Sequence, residues 1–360
     1  MAGWEAIAEA VGDLPLALDL LNAVLQFDLS PQQLRQRLDE AVRTPALDQR
    51  AAALKNVVPP GALRGITETF ALSFEKLSTP ARQAALVLAQ LEPGTPIPEA
   101  VIEALPPELN STEVRITLRQ RNFVTGEAEG VFGEMHRVLA GYLREQAGPD
   151  DANRARDALL AVMKPDRCEH PDHWPTMNAC ARHARPLFLR LATDALTEPN
   201  DAVATGGLGV GLGILWCAQG DAAQARTLQE QVLAVMTRVL GPEHPNTLTS
   251  MNNLAETMGA QGDHAGARAL HEQVLAVSRR VLGPEHLHTL TSMNNLAKTL
   301  VAQGDAVGAR TLQEQVLAML RRVLGPEHPH TLSSIKTGCG IPASKGSIVW
   351  RDGAKLLQAC

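Results

Sequence analysis

Gly241-Pro242-Glu243-His244-Pro245-Asn246-Thr247-Leu248-Thr249-Ser250-Met251-Asn252-Asn253-Leu254-Ala255 is written again 42 residues later. The second copy reads Gly283-Pro284-Glu285-His286-Leu287-His288-Thr289-Leu290-Thr291-Ser292-Met293-Asn294-Asn295-Leu296-Ala297. Across the two whole units, 241–282 and 283–324, only eleven positions differ. A third Gly-Pro-Glu-His stands at Gly325–His328, and Gln-Gly-Asp keeps the same step at Gln219–Asp221, Gln261–Asp263 and Gln303–Asp305. A fixed period of this length is the mark of a solenoid built by stacking one supersecondary unit.

Each unit reads as two helices. The first runs from Thr247 to about Ala260 and stops at Gly262, which supplies the C′ residue, while Asp263 is placed to N-cap the next helix. The second starts near Ala265 and carries Ala267, Leu270, Val274, Leu275 and Val281 at three- and four-residue spacing, the period of one buried face. Arg279 and Arg280 fall in its last turn, where cations complement the helix dipole, and Gly283-Pro284 ends it. Small residues at Ala255 and Ala267 let the two helices cross closely. The pattern is a helix pair of tetratricopeptide type, longer than the usual ~34 residues.

Composition agrees with stacked helices and removes several other classes. The chain has 360 residues, 45% apolar and 20% charged, which suits a soluble globular protein with real cores. Aromatics at 3% argue against β-sandwiches. A formal net charge of −6 gives no reason to expect nucleic-acid binding. The apolar run 206–218 is shorter than the about 20 residues of a bilayer span, and Met1–Glu9 lacks the basic start of a signal peptide. Five scattered Cys suggest reduced thiols, so a cytoplasmic protein without a membrane partner is expected.

The run His244-Pro245-Asn246-Thr247-Leu248 through Asn253-Leu254-Ala255, followed by Gln-Gly-Asp and Leu-Gly-Pro-Glu-His, resembles the 42-residue tetratricopeptide repeat of kinesin light chains and their bacterial relatives. The unit at 207–248 is a degenerate member, with Gly209-Val210-Gly211-Leu212-Gly213 where later units have Met-Asn-Asn-Leu-Ala. Upstream, Gly12-Asp13-Leu14-Pro15-Leu16-Ala17-Leu18 is similar to the Gly-Leu-Pro-Leu-Ala motif of NB-ARC nucleotide-binding modules, with Asp13 replacing Leu. Leu72–Ser78 and Pro96-Ile97-Pro98 resemble the winged helix that follows such modules, with 123–125 and 131–133 as wing strands and His136–Leu139 as the closing helix. His173-Trp174-Pro175 and the 180–187 helix resemble the linker into bacterial repeats.

These matches set the expected organisation. It is mainly α: a helical remnant at 1–58, a winged-helix-like domain at 59–150, a helical linker at 151–205, a short α-solenoid at 206–334 and an irregular tail at 335–360. The resemblance implies a signal-transducing ATPase with a repeat sensor. Yet a P-loop needs Gly-Lys to cradle and neutralise phosphates, and that dipeptide is nowhere in the chain. No catalytic residue, cofactor or metal is therefore expected.

The candidate binding residues sit on the first helix of each unit. Asn252, Asn253, Asn294 and Asn295 are mediocre helix formers in mid-helix, and adjacent pairs recurring after 42 residues call for a reason. With Glu256 and Lys298 one turn on, they are expected to face a concave groove, where amides clamp an extended peptide. The competing account is an Asn ladder that satisfies itself between neighbouring helices. His244, His286 and His328 recur because the unit recurs, as turn residues. Cys168, His170, His173, Cys180 and His183 fit no common zinc spacing, and the linker resemblance makes Trp174, Cys180 and His183 packing residues.

After Ser334 the repeat breaks off, which suggests an array cut short and an uncapped end open to self-association. The function expected is a non-enzymatic scaffold that binds a peptide or partner protein. The alternative is a regulatory fragment of an ATP-dependent switch that needs an NTPase domain in trans.

Overall fold

The computed structural model describes residues 15–27, 63–193 and 198–328, with positions 30, 32–34, 36, 196 and 331. The expected tail at 335–360 and most of the expected 1–58 segment lie outside the described residues. The chain divides into two compact units, Met1–Ala195 and Leu196–Cys360.

The first unit contains α1 (Pro15–Phe27), α2 (Leu63–Glu75), α3 (Thr79–Leu88), β1 (Ile97–Pro98), α4 (Glu99–Glu103), α5 (Thr112–Gln120), β2 (Val131–Gly133), α6 (Arg137–Arg144), α7 (Pro149–Val162), α8 (Pro165–Glu169) and α9 (Trp174–Thr193). β1 and β2 pair antiparallel, and Thr125 bridges Glu134 on the far side of the turn. A small hairpin thus stands beside α3, α4 and α5, packed around the fully buried Phe123, Phe132 and Leu139. Gly133 has φ +141°, and a Cβ there would sit 2.6 Å from the Thr125 carbonyl oxygen, so the hairpin needs glycine at that point.

The end of α3 is tied down by basic side chains from two later helices. Arg144 donates from Nε to the Ala89 carbonyl at 2.6 Å and from Nη2 to Leu91 at 2.7 Å, and Arg190 donates to the Gln90 carbonyl at 3.1 Å. Buried His183 on α9 accepts the Glu92 N–H at Nδ1 (3.0 Å), so its Nε2 carries the proton and donates to the Pro96 carbonyl (2.9 Å). Cys168 and Cys180 are buried too, and burial pushes their thiols up to about 11 and about 12. Trp174 donates its indole N–H to the Cys168 carbonyl, which docks α8 on α9.

The second unit is a run of antiparallel helix pairs: α10 (Pro199–Ala218) with α11 (Ala222–Leu240), α12 (Pro245–Ala260) with α13 (His264–Val281), and α14 (Leu287–Ala302) with α15 (Ala306–Val323). Each helix packs on the next in sequence. The local chemistry repeats with the sequence. Gly220, Gly262 and Gly304 take φ of 85°, 85° and 84°, and the following Asp221, Asp263 and Asp305 each accept a backbone N–H from three residues on, at 3.1, 3.0 and 2.9 Å. At the other end Thr247 and Thr289 donate to the Gly241 and Gly283 carbonyls, closing the turn that carries His244 and His286. Both histidines N-cap their helix by accepting an N–H at Nδ1, 3.2 Å away.

α10 departs from expectation in two ways. At 20 residues, with an 18-residue window of mean hydropathy 1.4, it is long and apolar enough to cross a membrane, longer than the 206–218 run suggested. In the fold half of that window is buried, and the helix is the first member of a pair. Its glycines, which lower helix propensity, make room for α11. A Cβ at Gly206 would lie 1.7 Å from the Met236 terminal carbon, and one at Gly213 would lie 2.9 Å from Gln229 Nε2.

Candidate functional site

Between α12, α13 and α14 lies a cleft of about 260 Å³, lined in part by Glu256, His264, His271, Asn295, Lys298 and Thr299. Its walls come from the repeat geometry. Ala255 and Ala297 are wholly buried against the second helices, which turns the positions one residue later outward. Glu256 on α12 and Lys298 on α14 are the exposed residues that result, one period apart. The floor includes His271, only 1% exposed.

Three of the six residues singled out from the sequence, Glu256, Asn295 and Lys298, line this cleft. Asn253 is half-buried on the same helix, one turn before Thr257, whose hydroxyl donates to its carbonyl. Asn252 goes elsewhere. Its Nδ2 donates to Ser292 Oγ at 3.3 Å and its Oδ1 lies 3.1 Å from His271 Nδ1, so its amide joins α14 to α13 in place of facing a ligand. Asn294, its mate one unit on, is half-buried, and its Oδ1 is buried without a hydrogen-bond partner among the described residues. The two adjacent Asn of a unit thus take different surroundings, and the order reverses between units: Asn252 is buried beside a half-buried Asn253, whereas Asn295 is buried beside a half-buried Asn294.

His271 went unremarked in the sequence. Its mates in the neighbouring units are Gln229 and Gln313, so aligning the units exposes it as the exception. The hydrogen bonds around it fix its tautomer. Ser292 Oγ donates to the His288 carbonyl (2.9 Å) and so accepts from Asn252 Nδ2, which leaves Asn252 Oδ1 to accept from His271 Nδ1–H. Nε2 is therefore the unprotonated nitrogen. Burial, and then the nearby Lys298 ammonium, push the His271 imidazole down to about 4, so it is neutral at physiological pH.

Outside the cleft, an ion pair closes each unit on itself, from the end of its second helix to the turn before its first. Arg280 reaches Glu243 at 2.5 Å and Arg322 reaches Glu285, the same pair one period on. The hydrogen bond from Arg280 holds the Glu243 carboxyl below the usual carboxylate range. Arg226 and Arg268 supply the links between successive units, donating to Gln261 and Gln303.

Stacked helix pairs of constant period, with side-chain links between successive units, define the second unit as an α-solenoid. Its units are tetratricopeptide repeats: the model of the tetratricopeptide repeat family matches residues 208–280 and again 254–322. No curated protein matches the sequence. Among solved structures, the nearly identical TPR-like repeats of a Podosopora anserina kinesin light chain are 27% identical, with 56% of this chain and 92% of that chain covered and a TM-score of 0.43. BtubC from P. vanneervenii is 16% identical over 58% of this chain and 74% of that one, at a TM-score of 0.41. A Signal Transduction ATPase with Numerous Domains from Pyrococcus horikoshii, which carries a tetratricopeptide repeat sensor, is 10% identical over 96% of this chain and 66% of that one, at 0.37. Repeats of this class indicate a protein–protein interaction scaffold.

Proposed function

We propose that the repeats bind an extended peptide segment of a partner protein, held in the cleft between α12, α13 and α14. The observation that carries this is the convergence of Glu256, Asn295, Lys298 and a neutral His271 on one open cleft, a set of donors and acceptors suited to a peptide backbone. Hydrogen bonds formed there replace water on groups that the fold leaves facing the cleft, so each contributes about 1 kcal/mol. The chain acts as a scaffold and carries no chemistry of its own.

The Asn253→Ala, Asn295→Ala double variant tests this reading. Neither side-chain amide ties its helix to another among the described residues, so urea unfolding should stay within roughly 1 kcal/mol of the parent. Capture of peptides from a random octapeptide library, read by fluorescence anisotropy, should fall about tenfold or more. Unchanged capture assigns binding to another surface.

The first unit favours a second role alongside the first. Its order of helix, strand, two helices and hairpin (α3, β1, α4, α5, β2) supports reading it as the winged-helix-like domain expected at 59–150. We read it as a regulatory element of a larger switch. Calorimetric titration with ADP separates the two: heat that saturates supports a nucleotide-dependent switch, and silence supports the scaffold alone.

A further inference from the structure

The middle of the array breaks step at two positions that meet in the cleft. One is on α12, where Gly259 stands at the place of Cys217 on α10 and Val301 on α14. Between α10 and α12 the Cys217 thiol reaches Thr257 Oγ1 at 3.3 Å. Thr299 is the mate of Thr257 one unit on, and Gly259 has no side chain to reach it, so a space stays open that both residues line. The other position is on α13, where His271 replaces the Gln229 and Gln313 of the neighbouring units. Those glutamines keep Oε1 sealed away without a hydrogen-bond partner among the described residues, whereas His271 forms the floor of the cleft.

The groups that face this space select a narrow chemistry. His271 donates from Nδ1 to Asn252 Oδ1, so its Nε2 is an acceptor without a proton. Asn295 lines the cleft from α14 at 8% exposure, and its side-chain amide has no hydrogen-bond partner among the described residues. Neither Nε2 of His271 nor the Asn295 amide is among the sealed polar atoms, so both open to the cleft. Ala255, Gly259 and Ala302 make the rest of the wall small and apolar. Glu256 is already engaged within the chain, and its carboxylate is not called on. At about 260 Å³ the space falls below the about 300–1,000 Å³ of a small-molecule pocket and suits one side chain. A cation there is opposed by the Lys298 ammonium, which lies near enough to push the His271 imidazole down. A carboxylate brings only acceptors to the Nε2 lone pair, and an aliphatic group leaves both Nε2 and the Asn295 amide unpaired in a dry site. A carboxamide carries a donor for one and an acceptor for the other, each on its own atom.

Building on the groove reading, we propose that this cleft is a carboxamide subsite: it takes one glutamine or asparagine side chain of the bound segment, whose NH₂ donates to Nε2 of His271 while its carbonyl oxygen accepts from the Asn295 amide. A site built to hydrogen-bond a polar group rejects the analogue that lacks it more strongly than an apolar pocket rejects a change of size.

The test uses the full chain and a random library of octapeptides with an N-acetyl and a C-terminal dimethylamide group, so that neither end supplies a charge or a primary carboxamide. The parent should enrich Gln or Asn at one fixed position of the peptide. Replacing that residue by Met, or by the matching acid, should weaken binding about tenfold. Two variants then address the cleft itself. His271→Gln installs the residue of the neighbouring units, and Gly259→Val fills the space with the residue that α14 carries. A Cβ at Gly259 meets the Ala267 Cβ at 3.9 Å, an ordinary contact, so circular dichroism of both variants should match the parent. In each of them the preference for the carboxamide peptide over its Met analogue should fall from about tenfold to about twofold or less. Enrichment of a charged, aromatic or aliphatic residue in place of Gln or Asn, or an unchanged preference in either variant, would overturn this inference and leave the groove reading standing. A parent that captures no peptide overturns both.

Discussion

Asn252→Ala should lower the stability of the repeat unit by about 2–4 kcal/mol, the largest loss expected from any single asparagine of the array. The side chain is 9% exposed and its amide links three helices: it accepts from His271 on α13 and donates to Ser292 on α14 while standing on α12. Alanine leaves His271 Nδ1–H without an acceptor at a position that water does not reach. Ser292 keeps the hydrogen bond it donates to the His288 carbonyl and loses only the one it accepts. Alanine's better helix propensity returns about 0.6 kcal/mol, well short of the loss. Asn294→Ala supplies the internal control. Its Oδ1 has no hydrogen-bond partner among the described residues, so the same substitution one period on should change stability by less than about 1 kcal/mol, or raise it. Urea unfolding followed at 222 nm measures both. Equal losses at the two sites would show that the Asn252 hydrogen bonds contribute nothing of their own.

The contrast between Asn252 and Asn253 shows where sequence reasoning ran out. Periodicity and punctuation located the helix pairs, because glycine at a left-handed turn and aspartate at an N-cap are local requirements: Gly262 and Asp263 do what their types imply wherever they stand. The helices start one or two residues earlier than the apolar pattern implies, at Pro245 and His264, since His244 caps its helix with a ring nitrogen. The cleft was legible only in part. Glu256 and Lys298 follow from the outward register, but two adjacent asparagines lie 100° apart on a helix, and which of them turns inward depends on partners from α13 and α14. His271 belongs to the second helix of the pair, which reads simply as a packing face. Comparing the repeats with one another, rather than reading one of them for its period, brings it out, because Gln229 and Gln313 hold the same place. The glycines of α10 carried a similar ambiguity: as a sequence they weaken a helix, and in the fold they admit Met236 and Gln229.

Acidification should unlock the middle repeat, and His271 is the group responsible. An imidazole near 6.5 in the unfolded chain and pushed down to about 4 in the fold binds its proton more readily once the repeat opens. The stability tied to this group is therefore fully present above pH 6.5, falls as pH drops through the window from 6.5 to 4, and is constant below it. The loss across the window is about 3 kcal/mol. Burial is the larger cause, since a charged ring 1% exposed gives up its hydration, and the Lys298 ammonium adds repulsion. Protonation need not break the hydrogen bond to Asn252, because Nδ1 already donates there; what it adds is a second N–H, at Nε2, where the neutral ring offers an acceptor. Acid thus opposes the fold and reverses the polarity of the cleft floor in one step. His271→Gln, which installs the residue of the neighbouring units, separates this group from every carboxylate and from His183, whose buried ring is also pushed down. Near pH 7 the variant and the parent should unfold within about 1 kcal/mol of each other, and at pH 4 the variant should be the more stable by roughly 3 kcal/mol. Following the His271 Cε1 proton by NMR gives its titration directly. A midpoint at or above 6.5 in the folded protein, or parallel stability curves for parent and variant, would remove His271 as the source of acid sensitivity.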